Sequence, residues 1–295
     1  MFDGFESRTV QTSETEIFFR MAGQGPPVLL IHGFPQTHVC WHQVAPALAE
    51  RYSVVVPDLR GYGASGKPAA SRDHSAHSKR AMAQDLVEIM TALGHTRFAV
   101  ASHDRGARVG YRMALDHPEK VTRLCSLDVI PTLNTWESVN RDRAVGAFHW
   151  SFLAQPAPLP ETMIGHDPDL FYQRLMDSWA ASGFEFDPSA MDAYLTAMRN
   201  PAAIEGTCED YRAGAGIDVE HDAADRTAGR KIACPILFLF GADRDVGGPK
   251  GNSDPLGVWR EWCSAKVTGG PVTCGHFLPE EAPEEVVASL IEFIG

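Results

Sequence analysis

The chain has 295 residues, 44% of them hydrophobic and 22% charged, the balance of a globular protein with room for one large α/β domain and an insertion. A formal net charge of −12 argues against nonspecific nucleic-acid binding, and no apolar run approaches the length of a membrane span. The N-terminus lacks a basic region followed by an apolar one, and the six cysteines show no paired spacing, so a reduced, cytoplasmic protein is expected.

In chain order, the N-terminal thirty residues read as short antiparallel strands, with Gly23-Gln24-Gly25-Pro26-Pro27 as the turn into the first long strand. The runs Val28–Ile31, Val54–Val56, Phe98–Ala101, Leu124–Leu127 and Ile236–Phe240 are apolar without alternation, as in strands covered on both faces. Helical patterns over Ala81–Leu93 and Ala107–His117 fall between them, which predicts a mostly parallel sheet with right-handed crossovers. From about Pro131 to Asp225 no comparable strand run occurs. Helices are predicted there over Trp136–Leu153, Pro168–Trp179, Pro188–Ala197 and Pro201–Tyr211, with prolines at or just before three of the starts. The expected organisation is a core of residues 1–130 and 226–295, with a helical cap, 131–225, inserted after the strand ending near Asp128. A last helix is predicted from Pro283 to Ile294.

The segment Ser102-His103-Asp104-Arg105-Gly106 joins the Phe98–Ala101 strand to the next helix through a tight turn with small residues two places either side of Asp104. That is the pattern of a nucleophile elbow, whose central side chain stands clear above the sheet. The commonest central residue is serine, which attacks acyl groups. A carboxylate is a poor acyl nucleophile, but it can displace a leaving group from saturated carbon and form an ester. His32-Gly33-Phe34-Pro35 follows the first long strand, where such folds supply one oxyanion N–H; the pair would be the backbone N–H groups of Phe34 and Arg105. Asp58 to Ser65 contains Gly-x-Gly without a phosphate-binding fingerprint and reads as a rigid turn. His74-Ser75-Ala76-His77 lacks supporting ligands for a metal pair and reads as a surface loop.

His276, after the glycine-rich loop Gly269-Gly270-Pro271, stands where the chain order nucleophile, acid, histidine places the base. Asp128 and the Asp243/Asp245 pair are nearly equal candidates for its acid partner. Arg105 and Arg108 are three residues apart on one helical turn, and their planar forks suit a carboxylate ligand better than a structural role. His149, Trp150 and Tyr211 are all hydrogen-bond donors; converging, they would stabilise a leaving anion, though singly each reads as packing.

These residues together resemble the fluoroacetate (haloacetate) dehalogenases of the α/β-hydrolase superfamily. The resemblance runs over nearly the whole chain and is densest in His32–Gln36, His103–Pro118, His149-Trp150 and Asp210–Ala213. It implies Asp104 as nucleophile, His276 as base, Asp128 as its acid, Arg105 and Arg108 as carboxylate clamp, and His149, Trp150 and Tyr211 as halide site. The implied activity is hydrolysis of a small 2-halo acid, with neither metal nor organic cofactor, by a homodimer. Ala107, Tyr111 and the polar stretch Asp243–Pro255 depart from the expected pattern and bear on substrate preference. The rivals are an epoxide hydrolase, for which Tyr172, Tyr194 and Tyr211 are candidate acids, a haloalkane dehalogenase, and a non-catalytic hydrolase-fold binding protein. Arg105 stands where the first two enzyme classes usually carry an aromatic residue.

Overall fold

The computed structural model describes residues 1–242 and 254–295. Its sheet has eight strands: β1 (Glu6–Gln11), β2 (Glu16–Ala22), β3 (Pro27–Ile31), β4 (Ser53–Pro57), β5 (Phe98–His103), β6 (Val121–Leu127), β7 (Ile236–Gly241) and β8 (Val267–Val272), in the order β1-β2-β4-β3-β5-β6-β7-β8. The N-terminal β1 and β2 are antiparallel, and β3 to β8 are parallel. The continuous apolar runs have their physical reason here: every residue of β4 and β5 is buried. Before β6 the helices are α1 (Ala45–Ala49), α2 (Lys79–Ala92) and α3 (Asp104–Asp116). The last described stretch carries α12 (Pro255–Trp262), α13 (Leu278–Glu281) and α14 (Pro283–Ile294).

Between β6 and β7 the chain is helical: α4 (Thr132–Glu137), α5 (Arg141–Gly146), α6 (His149–Leu153), α7 (Leu159–His166), α8 (Pro168–Trp179), α9 (Pro188–Met198), α10 (Pro201–Ala215) and α11 (Ile217–Thr227). The single helix expected over Trp136–Leu153 is three short ones. Asn140 breaks it by capping a new start, its side chain accepting the Arg143 N–H at 3.0 Å, and Gly146 ends α5. Gly269-Gly270-Pro271, expected as a loop, lies inside β8. This is the last strand of the sheet, where a proline costs no ladder bond. Gly269 has φ +118°, and a Cβ there would sit 2.0 Å from the Phe238 carbonyl oxygen, so only glycine fits. Among the described residues no helix is long and apolar enough to cross a membrane.

Buried ion pairs tie the inserted helices to the core. Arg112 of α3 reaches Asp222 at 2.7 Å and also pairs with Asp225, both on α11, while Tyr111 donates to Asp222 at 2.8 Å. Replacing Arg112 by alanine takes the shared guanidinium away from two buried carboxylates. The expected cost is about 3–5 kcal/mol of unfolding free energy, read by urea denaturation. A loss below about 1 kcal/mol would show that the pairs behave like exposed ones.

Candidate active site

The parallel strands point their carboxyl ends at one place, where α/β sheets carry their sites. β5 ends at His103, and Asp104 opens α3 with φ +48°, a left-handed conformation that an L-residue adopts only when its surroundings force it. The packing beneath supplies the force. A Cβ on Gly106 would lie 2.2 Å from the His32 carbonyl oxygen, so the turn closes only with glycine. Ser102 is buried and donates to the Cys125 carbonyl at 2.9 Å. The Asp104 carboxylate therefore stands over the N-terminus of α3, where the helix dipole favours negative charge. Burial pushes its pKa up, but His276, Arg105 and the Phe34 N–H outweigh that and hold it below the usual carboxylate range. The Phe34 N–H donates to Asp104 Oδ1 at 2.9 Å. The Arg105 N–H lies in the first turn of α3, where no intrahelical acceptor is in reach.

His276 follows β8 and is buried, its backbone N–H donating to the Trp179 carbonyl at 2.9 Å. Its Nδ1 lies 2.5 Å from Asp128 Oδ2, and its Nε2 lies 3.7 Å from Asp104 Oδ2. A carboxylate acceptor fixes the proton on Nδ1 and leaves Nε2 as the basic nitrogen toward Asp104. Asp128 follows β6 with φ +62°, and its Oδ1 accepts the Gly241 N–H at 2.9 Å. Asp243 and Asp245 lie outside the described residues. Sequence reasoning passed over His103. Its ring lies 4.7 Å from that of His276, and its Nε2 is 2.7 Å from the His276 carbonyl oxygen. Burial lowers its pKa to about 4, so it is neutral and donates there.

Arg105 and Arg108 are both buried in one place, their guanidinium groups 5.4 Å and 4.5 Å from the Trp150 ring. They are not equivalent. Arg105 forks onto Asp210, Nε to Oδ2 at 3.1 Å and Nη2 to Oδ1 at 2.6 Å. Arg108 spends Nη1 on the Ile130 carbonyl at 3.0 Å and Thr132 Oγ1 at 3.2 Å, and Nη2 on Thr135 Oγ1 at 3.3 Å. Burial, and then Arg105, lower its pKa to about 10, which leaves it charged at neutral pH. Among the described residues, Arg105 Nη1 and Arg108 Nε are buried donors with no hydrogen-bond partner. Orphaned donors of this kind are costly unless something accepts from them.

Aromatic side chains from the inserted helices close over the elbow. The Phe34 ring is 5.1 Å from Tyr211 and 6.4 Å from His149, and Trp150 is 6.0 Å from Tyr211. The three residues expected to cradle a leaving anion are thus gathered beside Asp104's neighbours. Trp179, which stands in no motif, fills the gap between His149 at 4.6 Å and His276 at 5.6 Å. Of the other tyrosines, Tyr194 donates to Glu280 at 2.9 Å, and Tyr172 lies edge-on to Phe34 at 5.8 Å. Burial raises Glu280 to about 8. His32 is structural: its Nε2 accepts the Leu59 N–H at 3.0 Å, and burial lowers its pKa. The stretch expected as a surface loop is not one, since His77 is buried and His74 pairs with Glu209 at 2.7 Å. Among the described residues no cluster of three metal-ligating side chains forms.

A family model described as the alpha/beta hydrolase fold matches residues 26–283. The chain belongs to the α/β-hydrolase family. A fluoroacetate dehalogenase from Burkholderia sp is 45% identical over 100% of this chain and 95% of its own length. A soluble epoxide hydrolase from Corynebacterium sp. (strain C12) is 33% identical over 92% of this chain and 91% of its own. Among solved structures, a candidate α/β hydrolase from Nostoc sp PCC 7120 superposes with TM-score 0.96 at 46% identity, covering 100% of this chain and 99% of that one. A candidate epoxide hydrolase from Pseudomonas aeruginosa does so with TM-score 0.93 at 44%, covering 99% and 96%. The chain is therefore similar both to a dehalogenase and to epoxide hydrolases, within one hydrolase family.

Proposed function

We propose that this hydrolase removes halide from small 2-halo acids, fluoroacetate and chloroacetate among them, to give glycolate. The observation that carries the reading is the pair of unpartnered guanidinium N–H groups, Arg105 Nη1 and Arg108 Nε, buried beside the nucleophile. A substrate carboxylate has two oxygens to accept from them. An epoxide brings a single uncharged oxygen, which cannot match two cationic donors as a carboxylate does, and a donor left unpaired costs about 1–3 kcal/mol. The clamp sets the carbon–halogen bond in line with an Asp104 oxygen. That oxygen displaces halide and forms an ester. His276 Nε2, oriented by Asp128, takes a proton from water, and the hydroxyl oxygen adds to the ester carbonyl carbon. The Phe34 and Arg105 N–H groups stabilise the oxyanion. Collapse expels glycolate, whose oxygen takes the proton back from His276. Per turnover one water is consumed, and one halide and one proton leave. The helices over residues 131–225 act as the cap that keeps bulk water from this step, and the six buried, unbridged cysteines support a reducing compartment, the cytoplasm. Halide release from fluoroacetate and chloroacetate, beside diol formation from styrene oxide, tests the assignment. Diol without halide would make the protein an epoxide hydrolase, and neither product would leave it a binding protein.

His149, Trp150 and Tyr211 form the halide cradle in this reading. Fluoride is a poor leaving group with concentrated charge, so its departure depends most on donors that strengthen in the transition state. Trp150→Phe keeps the bulk and removes one N–H. It is expected to cut fluoroacetate turnover by on the order of 10²-fold, with a much smaller effect on chloroacetate. Equal losses on both substrates together with a lowered melting temperature would make Trp150 a packing residue.

A further inference from the structure

Arg105 is held far more completely than a ligand-binding arginine needs to be for charge alone. Its Nε, its Nη2 and one face are all committed: the first two to Asp210, and the face to the Tyr211 ring, 4.1 Å from the guanidinium carbon. Nη2 also donates to the Asp210 backbone carbonyl at 2.8 Å. Asp210, at 0% exposure, is itself fully engaged. Tyr62 donates to its Oδ2 at 2.6 Å, and Lys79 pairs with its Oδ1. Lys79 is in turn buried between Asp210 and Asp218, its backbone N–H donating to Asp218 Oδ1 at 2.9 Å. One turn further along α10, Gly214 lies against the same guanidinium. A Cβ there would meet Nη2 at 2.8 Å and Nη1 at 3.3 Å. Nη1 is the nitrogen left over.

We propose that Asp210 is a positioning residue for the anion clamp, turning Arg105 so that Nη1 alone faces the ligand carboxylate, and that Gly214 supplies the space this orientation requires. The inference rests on the haloacid reading above and deepens it. Its content is geometric rather than electrostatic, and the two make opposite predictions. Asp210 puts a negative charge next to an anion site, so Coulomb's law alone says that removing it tightens anion binding. If Asp210 positions Arg105, removing it loosens binding, because a guanidinium freed from its fork no longer presents one N–H at one place. A division of labour follows. Arg105 is charge-compensated by Asp210 and contributes direction. Arg108 has no carboxylate partner among the described residues and contributes the uncompensated charge.

The test compares Asp210→Asn, Tyr62→Phe and Gly214→Ala. Asp210→Asn leaves Lys79 and Arg105 without their shared carboxylate and can fail to fold. The other two keep the proposal open to refutation. Tyr62→Phe removes one bond to Asp210 at constant charge and nearly constant volume. Gly214→Ala removes no charge and no hydrogen-bonding side chain, and its Cβ acts on the guanidinium directly. The probe is acetate, a carboxylate that cannot react, titrated calorimetrically, beside KM and kcat for chloroacetate. The expected result is an acetate Kd and a chloroacetate KM raised on the order of tenfold or more in Asp210→Asn and Gly214→Ala, with a smaller rise in Tyr62→Phe. The Gly214→Ala protein is expected to remain folded, since its Cβ displaces only the end of one side chain. Unchanged acetate affinity in Gly214→Ala, or tighter binding in folded Asp210→Asn, would overturn the positioning role. A wild type that binds acetate yet releases no halide overturns the reaction instead, and the acetate affinities of the variants still decide the role of Asp210.

Discussion

Replacing His276 with asparagine is expected to stop turnover with the enzyme esterified at Asp104. The two chemical steps make different demands. Displacement of halide needs a carboxylate, and Asp104 is already held ionised by its neighbours. Hydrolysis of the ester needs a base for water, and His276 Nε2, 3.7 Å from Asp104 Oδ2, is the group placed to act. Asparagine can keep the bond to Asp128 Oδ2 but cannot take the proton. Loss of a positioned general base costs about 10²–10⁴-fold, and it falls on the second step alone. With chloroacetate, one equivalent of chloride per active site is expected in a burst, followed by a stall. Intact mass is expected to rise by one carboxymethyl group. Sustained turnover near the wild-type rate would remove His276 from the reaction. The companion change Asp128→Asn reverses the hydrogen-bond demand on Nδ1 and favours the wrong tautomer. It is expected to slow ester hydrolysis far more than Asp245→Asn, and the opposite order would assign the acid to the later loop.

Arg108→Leu is expected to lower kcat/KM on haloacetates by on the order of 10²–10³-fold, the effect of truncating one partner of a buried charge pair. The side chain is buried and brings the site's uncompensated positive charge, so leucine takes away both an N–H and the Coulomb attraction for the substrate. It also strips a donor from Ile130, Thr132 and Thr135, and unfolding must be measured alongside. Lysine restores the charge without the planar fork and is expected to rescue poorly. The control is a neutral haloacetamide, assayed by halide release at Asp104. Its turnover is expected to fall much less than that of the acid, since it has no anionic carboxylate for the clamp to hold. Near-normal haloacetate activity in Arg108→Leu would make Arg108 structural.

What could be read from the chain alone follows physical range. β3 to β7 lie in a doubly covered sheet, so their apolar runs announce themselves, and the sharpness of the elbow at Asp104 shows in the small residues around it. β8 was hidden because Gly269 answers to a carbonyl on a neighbouring strand rather than to its own segment. The inserted helices were legible wherever proline marked a start, and misjoined where Asn140 alone broke the run. In the site, residues that stand in a motif could be singled out from the chain. Those that act through distant partners could not. His103 matters through His276, which is 173 residues away, and Asp210 meets Arg105 across 105 residues. Neither spacing leaves any local pattern. The fork of Arg105 onto Asp210 also makes the two arginines inequivalent, which their spacing on one helical turn does not show.

The most direct test of the covalent mechanism is a single turnover with enzyme in excess over chloroacetate in oxygen-18 water, followed by digestion and mass analysis of the peptide carrying Asp104. Water that attacks the ester carbonyl carbon leaves its oxygen on the enzyme, so the account requires heavy oxygen in that peptide and unlabelled glycolate from the first turnover. Label in the glycolate with none in Asp104 would mean that water attacks the substrate carbon directly, and Asp104 would not be the nucleophile.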